Sequence, residues 1–201
     1  MFAFYPEKTY SRAEVMSRPT PVPATNGVYF WWFKEIPGGV PTDGCIENDG
    51  YTLLYVGISP DKKGKPSSKA NLKTRIKTHY SGNAEGSTLR RTLGVLLAAE
   101  SHFPLRRVGS GTRTTFTHSG EQWLDRWMEQ NAKVHWVAHD EPWVLEESLI
   151  GSIALPLNIQ GNTHAFKPLL SAMRSKAMAE AKRLEIADES GYSRRLKNPV
   201  A

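Results

Sequence analysis

Two apolar runs constrain this chain more than any other feature. Residues 27–34 read GVYFWWFK and residues 51–58 read YTLLYVGI. Each reads as a strand, and the unbroken apolar and aromatic stretch of the first implies that both its faces are covered. Between them Pro37-Gly38-Gly39, Asp43-Gly44 and Asp49-Gly50 punctuate a long turn-rich connection. Such a connection makes the second strand the antiparallel partner of the first.

Helical signals follow. Over residues 70–80, Leu72, Arg75, Ile76 and His79 fall on one face. A plain surface helix would send arginine and histidine to the opposite side, so their place in the apolar stripe marks them. Ser87 caps a second helix, 88–99, whose buried face is Leu89, Leu93, Leu96 and Leu97. Residues 104–108 and 112–117 read as a hairpin around Gly109-Ser110-Gly111. Ser119 with Gln122 has capping-box spacing and opens a helix to Asn131, with Trp123, Leu124, Trp127 and Met128 inward. Residues 133–138 alternate like a strand, and Asp140 with Pro142 starts a helix to Ala154. A basic amphipathic helix is expected over 167–187. Near the start, Pro6, Pro19, Pro21 and Pro23 make residues 1–25 an arm, with a short helix capped by Ser11 and Glu14.

The sum is an α/β (α+β) domain: a small, mainly antiparallel three-stranded sheet flanked by helices, with a hairpin-helix insert and a C-terminal helix. Charge and cysteine usage narrow the chemistry. The net charge of +6 suits a polyanionic partner. Cys45 is the single cysteine, which excludes an intramolecular disulfide and a cysteine-based zinc site. Met1-Phe2-Ala3-Phe4 opens no signal-peptide pattern, and no apolar stretch approaches the roughly 18 residues that span a bilayer. A cytoplasmic protein with no membrane partner is the expectation.

Gly27-Val28-Tyr29 and Tyr55-Val56-Gly57 sit inside the two strands, followed by Leu72, Arg75 and His79 on one helix. Leu145-Glu146-Glu147-Ser148-Leu149-Ile150 and Pro156-Leu157-Asn158 come later. This ordered set resembles the GIY-YIG nuclease superfamily, with valine for isoleucine in both named triplets. Ser87 to Gly94 (STLRRTLG) and Pro156 to Asn162 (PLNIQGN) resemble a bacterial branch seen fused to some transcription regulators. The long link between the tyrosine strands and the insert at 104–131 depart from the minimal domain. The resemblance divides the chain into an arm (1–25), a nuclease domain (26–162) and a basic helix with tail (163–201).

The resemblance implies a divalent-metal-dependent endonuclease acting on double-stranded DNA. Glu146 would bind Mg²⁺ or Mn²⁺, chosen over Glu147 by its register to Leu149 and Ile150. Tyr29, with His79, would activate water, and Arg75 would grip the phosphate through its planar fork. Tyr55 would orient water or phosphate. Gly57, Lys62, Lys63, Lys69 and Asn158 are the expected substrate contacts. One site per chain cuts one strand at a time, so double-strand cleavage would need a homodimer or rebinding. A catalytically silent DNA-binding module of the same fold, and an RNA-directed nuclease, are the alternatives. A zinc site at His135 and His139 is disfavoured, because positions four apart in a strand stand about 13 Å apart.

Overall fold

The computed structural model describes residues 6–60 and 70–189. In chain order these hold α1 (Arg12–Met16), β1 (Gly27–Phe33), β2 (Glu47–Asn48), β3 (Tyr51–Ser59), α2 (Leu72–Ser81) and α3 (Thr88–Leu96). Then come α4 (Ala98–Ser101), β4 (Arg106–Val108), β5 (Arg113–Thr115), α5 (Thr117–Asn131), β6 (Ala132–Ala138), α6 (Pro142–Ser152) and α7 (Lys167–Arg183).

The main sheet is antiparallel throughout, in the order β2-β3-β1-β6. It has four strands rather than three. Asp49 and Gly50 adopt positive φ of 51° and 74°, the turn that folds Glu47–Asn48 back onto β3. Tyr29 lies opposite Gly57 and Trp31 opposite Tyr55, after which Trp32 pairs with Leu53. Leu54 is therefore the extra residue of a β-bulge. The arm adds to the outer edge of β6, where Tyr10 and Val134 exchange backbone hydrogen bonds of 2.8 and 2.9 Å.

Both faces of β1 are covered, as its composition requires. On one side Tyr29, Trp31, Leu54 and Tyr55 pack in a core with Leu72 and Ile76 of α2, Leu89 of α3, Met128 of α5 and Leu170 of α7. On the other, Val28, Phe30, Trp32 and Val56 pack with Leu145 and Leu149 of α6. Buried in the sheet, His135 accepts the Trp32 indole N–H at 2.8 Å and stacks on Phe30. Among the described residues no cluster of three metal-ligating side chains exists, so His135 is a satisfied core residue.

A fully buried arginine ties the insert down. Arg90 bonds Glu121 and Asp125 of α5 at 2.7 Å each and donates to the His79 and Tyr80 carbonyls at the end of α2. Glu121 also accepts the Phe116 N–H at 3.3 Å. This is why α5 starts at Thr117, ahead of the expected Ser119 cap. The last helix is shorter than expected. It stops at Arg183, and residues 184–187 cross to the hairpin, where the Ala187 N–H meets the Arg107 carbonyl at 2.8 Å. No described helix is long and apolar enough to cross a membrane.

Candidate active site

The first motif glycine is a close-packing position. A Cβ on Gly27 would strike the Val137 carbonyl oxygen of β6 and the Leu72 side chain of α2. Glycine there lets α2 close down on the sheet. That docking brings the α2 stripe over Tyr29. Asn71 caps the helix in a box with Thr74, and Leu72, Ile76 and His79 are buried. Gly57 does the same for the phenol. A Cβ there would stand 2.5 Å from Tyr29 Oη and 2.7 Å from its Cζ, so the ring lies across the bare backbone of β3.

Tyr29 Oη is the hub. His79 Nε2 lies 2.9 Å away, and Arg75 Nε donates to the oxygen at 3.4 Å. Burial holds the phenol's pKa above the usual 10 and the charge of Glu146 adds to it, while the charge and hydrogen bond of Arg75 and, less, the nearby Tyr55 favour the ionised form. Tyr55 is pushed up too, again by burial first. Behind the hub, His79 Nδ1 sits 2.7 Å from Ser87 Oγ, which also accepts the Arg90 N–H as the N-cap of α3. Burial, then the charges of Arg75 and Arg90, hold His79 well below 6.5, so the imidazole is neutral.

In front of the hub is a cavity of about 420 Å³. Tyr29, Tyr55, Gly57, Arg75 and Glu146 all line it, together with Trp143, Glu147 and Asn158. The sheet, α2, α6 and the loop after α6 meet here. Glu146 is half-buried and Glu147 exposed. Burial pushes the Glu146 carboxyl up to about 7. A desolvated carboxylate of this kind is stabilised by an added cation.

Two of the expected site residues are held by other contacts. His79 is completely buried behind Tyr29 and reaches the cavity only through the phenol. Asn158 spends its amide on the backbone: Oδ1 accepts the Val56 N–H at 3.0 Å and Nδ2 donates to the Val56 carbonyl at 2.8 Å. It clamps the 155–162 loop to β3, and Asn162 reinforces the loop by donating to the Leu155 and Asn158 carbonyls. Lys62, Lys63, Lys65 and Lys69 lie outside the described residues.

The structure adds Ser87 and Trp143 to the set. Ser87 was legible only as a helix cap, because its distance to His79 depends on how α2 and α3 pack. Trp143 reads in sequence as core, yet it lines the cavity one turn before Glu146.

Comparison with known proteins is consistent with this geometry. A family model described as the GIY-YIG catalytic domain matches residues 27–176, which takes in both tyrosine strands, α2, the insert, α6 and part of α7. No curated protein and no solved structure matches.

Proposed function

The chain belongs to the GIY-YIG nuclease superfamily, and from that membership and the chemistry of its cavity we propose that it is a divalent-metal-dependent endonuclease hydrolysing DNA phosphodiester bonds. One observation carries the reading: two phenols, a guanidinium and a half-buried carboxylate converge on one cavity of about 420 Å³.

Magnesium or manganese fits the donor set. Such ions are held by one or two carboxylates plus water and substrate phosphate, not by an all-protein cage. Glu146 is the carboxylate that would hold the ion, with Glu147 at the rim. When bound, the ion supplies positive charge that offsets the phosphate and favours the phenolate of Tyr29.

The protein's own groups do the rest. Tyr29 takes the proton of the attacking water. Its oxygen is prepared for negative charge by the Arg75 Nε–H and by Tyr55. In this relay the Ser87 hydroxyl, which also accepts the Arg90 N–H, donates to His79 Nδ1, and the imidazole donates from Nε2 to Tyr29 Oη. His79 is thereby a positioning residue, and Ser87 sets its tautomer. Arg75 is anchored by a 3.1 Å bond from Nη1 to the Gly86 carbonyl and lines the cavity, where its charge would face the scissile phosphate.

The test is plasmid nicking. The parent protein with Mg²⁺ or Mn²⁺ should convert supercoiled DNA to open circles, and Glu146→Ala should spare it. Binding without cutting would support the silent module instead, and preferential loss of structured RNA would support the RNA-directed reading.

A further inference from the structure

A second hollow, about 500 Å³ in volume, lies between α3 and α7. It is lined by Arg91, Arg174, Lys182, Ser171 and Ser175 and, among the described residues, by no acidic side chain. Ile159 forms part of its wall and part of the wall of the candidate active site, so the two hollows adjoin across one side chain.

Among the described residues Arg174 and Lys182 have no carboxylate within ion-pair distance, and Arg91 is held by Glu85 and by a 3.1 Å bond from Nε to the Ala84 carbonyl. Arg174 is half-buried and donates to Thr92 Oγ1 at 3.3 Å. Burial first, and then the charge of Arg91, push its pKa down. Arg91 meets Glu85 at 3.5 Å, and Glu180 of α7 is within 3.9 Å of Lys176 on another part of the helix. Two guanidiniums facing one partly dry hollow repel each other, and an anion seated between them removes both that repulsion and the desolvation cost. The Arg174 charge also reaches Tyr55 in the neighbouring cavity. Whatever anion binds here is therefore held beside the reacting groups. The Ser171 and Ser175 hydroxyls add neutral donors, and the apolar flank of Ile159 and Met178 suits a sugar.

We propose that this hollow is a phosphodiester subsite, in which Arg174, Arg91 and Lys182 seat a linkage of the DNA strand flanking the one to be cut. The proposal rests on the nuclease reading and deepens it. The hollow sets where the strand runs past Tyr29 and Glu146, and it assigns α7 to substrate binding.

The experiment measures binding of a fluorescein-labelled DNA duplex to the full chain in EDTA, across a series of KCl concentrations. Arg174→Met should weaken binding by about tenfold and make the slope of log K against log salt shallower by about 0.9, the value for one phosphate contact. Ser175→Glu, an exposed change at the rim, should weaken binding in the same direction and decides the matter if Arg174→Met does not fold. Lys176→Met removes one charge from the same helix outside the hollow and should change affinity less than twofold, since that charge is exposed, screened by solvent and already within 3.9 Å of Glu180. Equal effects of Arg174→Met and Lys176→Met, or none from Arg174→Met and Ser175→Glu, would overturn the subsite. If the parent nicks plasmid and these variants bind normally, the subsite alone falls. If the parent binds through the hollow and never cuts, the nuclease reading falls alone. If the parent binds no DNA, both fall.

Discussion

Gly57→Ala is the sharpest probe of how the site is held. The added Cβ would stand 2.5, 2.7 and 2.8 Å from Oη, Cζ and Cε2 of Tyr29, where ordinary contact begins at 3.4 Å. The phenol must therefore retreat by roughly 0.6–0.9 Å, the shortfall of those distances. Its displacement breaks the contacts that hold it. Tyr29 is 1% exposed, and its oxygen is fixed by His79 at 2.9 Å and Arg75 at 3.4 Å. Overpacking of this size costs about 1–3 kcal/mol. Pulling Oη from buried His79 costs about 1–3 kcal/mol more. For a chain of this length the melting temperature should fall by roughly 5–20 °C. Cleavage should fall by about a hundredfold, the usual effect of moving a catalytic group by nearly an ångström. Plasmid nicking is assayed at 20 °C with near-UV circular dichroism to verify folding, beside a matched Gly151→Ala control. A Cβ at Gly151 on α6 meets nothing within 4 Å, so that variant should cut normally and melt no lower. A Gly57→Ala protein that cuts within threefold of the parent at an unchanged melting temperature would refute the close-packing argument.

Other perturbations follow from the same contacts. Glu146→Gln in EDTA at pH 8 should melt higher than the parent. The raised carboxyl makes ionisation cost stability as pH climbs from 4.5 through about 7, a cost of about 1–2 kcal/mol after discounting for solvent access. The same variant should lose the thermal stabilisation that Mn²⁺ gives the parent, and a variant that melts lower at every pH would sink the argument. A Tyr29 base implies a rate that rises toward alkaline pH; Ser87→Ala should lower kcat and shift that rise to higher pH while KM holds, and an unchanged pH profile would remove Ser87 from the relay. Arg90→Met removes the buried cation from Glu121 and Asp125, leaving Asp125 to Arg12 at 3.0 Å and Glu121 to the Ala84 and Phe116 N–H groups, and should cost about 3 kcal/mol, read as a drop in melting temperature; a drop below about 2 °C would show the clamp to be idle. Folding keeps His135 neutral with its pKa pushed down to about 4. The unfolded chain protonates there near 6.5, so stability is complete above pH 6.5 and falls by about 2–3 kcal/mol as pH drops toward 4. His135→Gln should flatten that fall in acid titrations followed by fluorescence.

Much of this was legible in the chain itself, because periodicity, capping and turn chemistry act over a few residues. The double coverage of β1 follows from its unbroken apolar run, and the Ser11–Glu14 and Ser87 caps are satisfied by neighbours within one turn. The order of tyrosine, arginine, histidine and glutamate along the chain is likewise a property of the sequence. What only the tertiary structure decided is which atoms face which. The stripe on α2 could not say that His79 is sealed behind Tyr29 while Arg75 reaches the cavity. Register to Leu149 and Ile150 selects Glu146 over Glu147 in sequence, but its half-burial, against the exposure of Glu147, comes from the packing of α6 against β3. Asn158 is committed to Val56, Ser87 reaches His79 and Arg90 grips α5 through contacts between segments distant in sequence. Such contacts form when helices close on a sheet, a long-range event that no local pattern encodes.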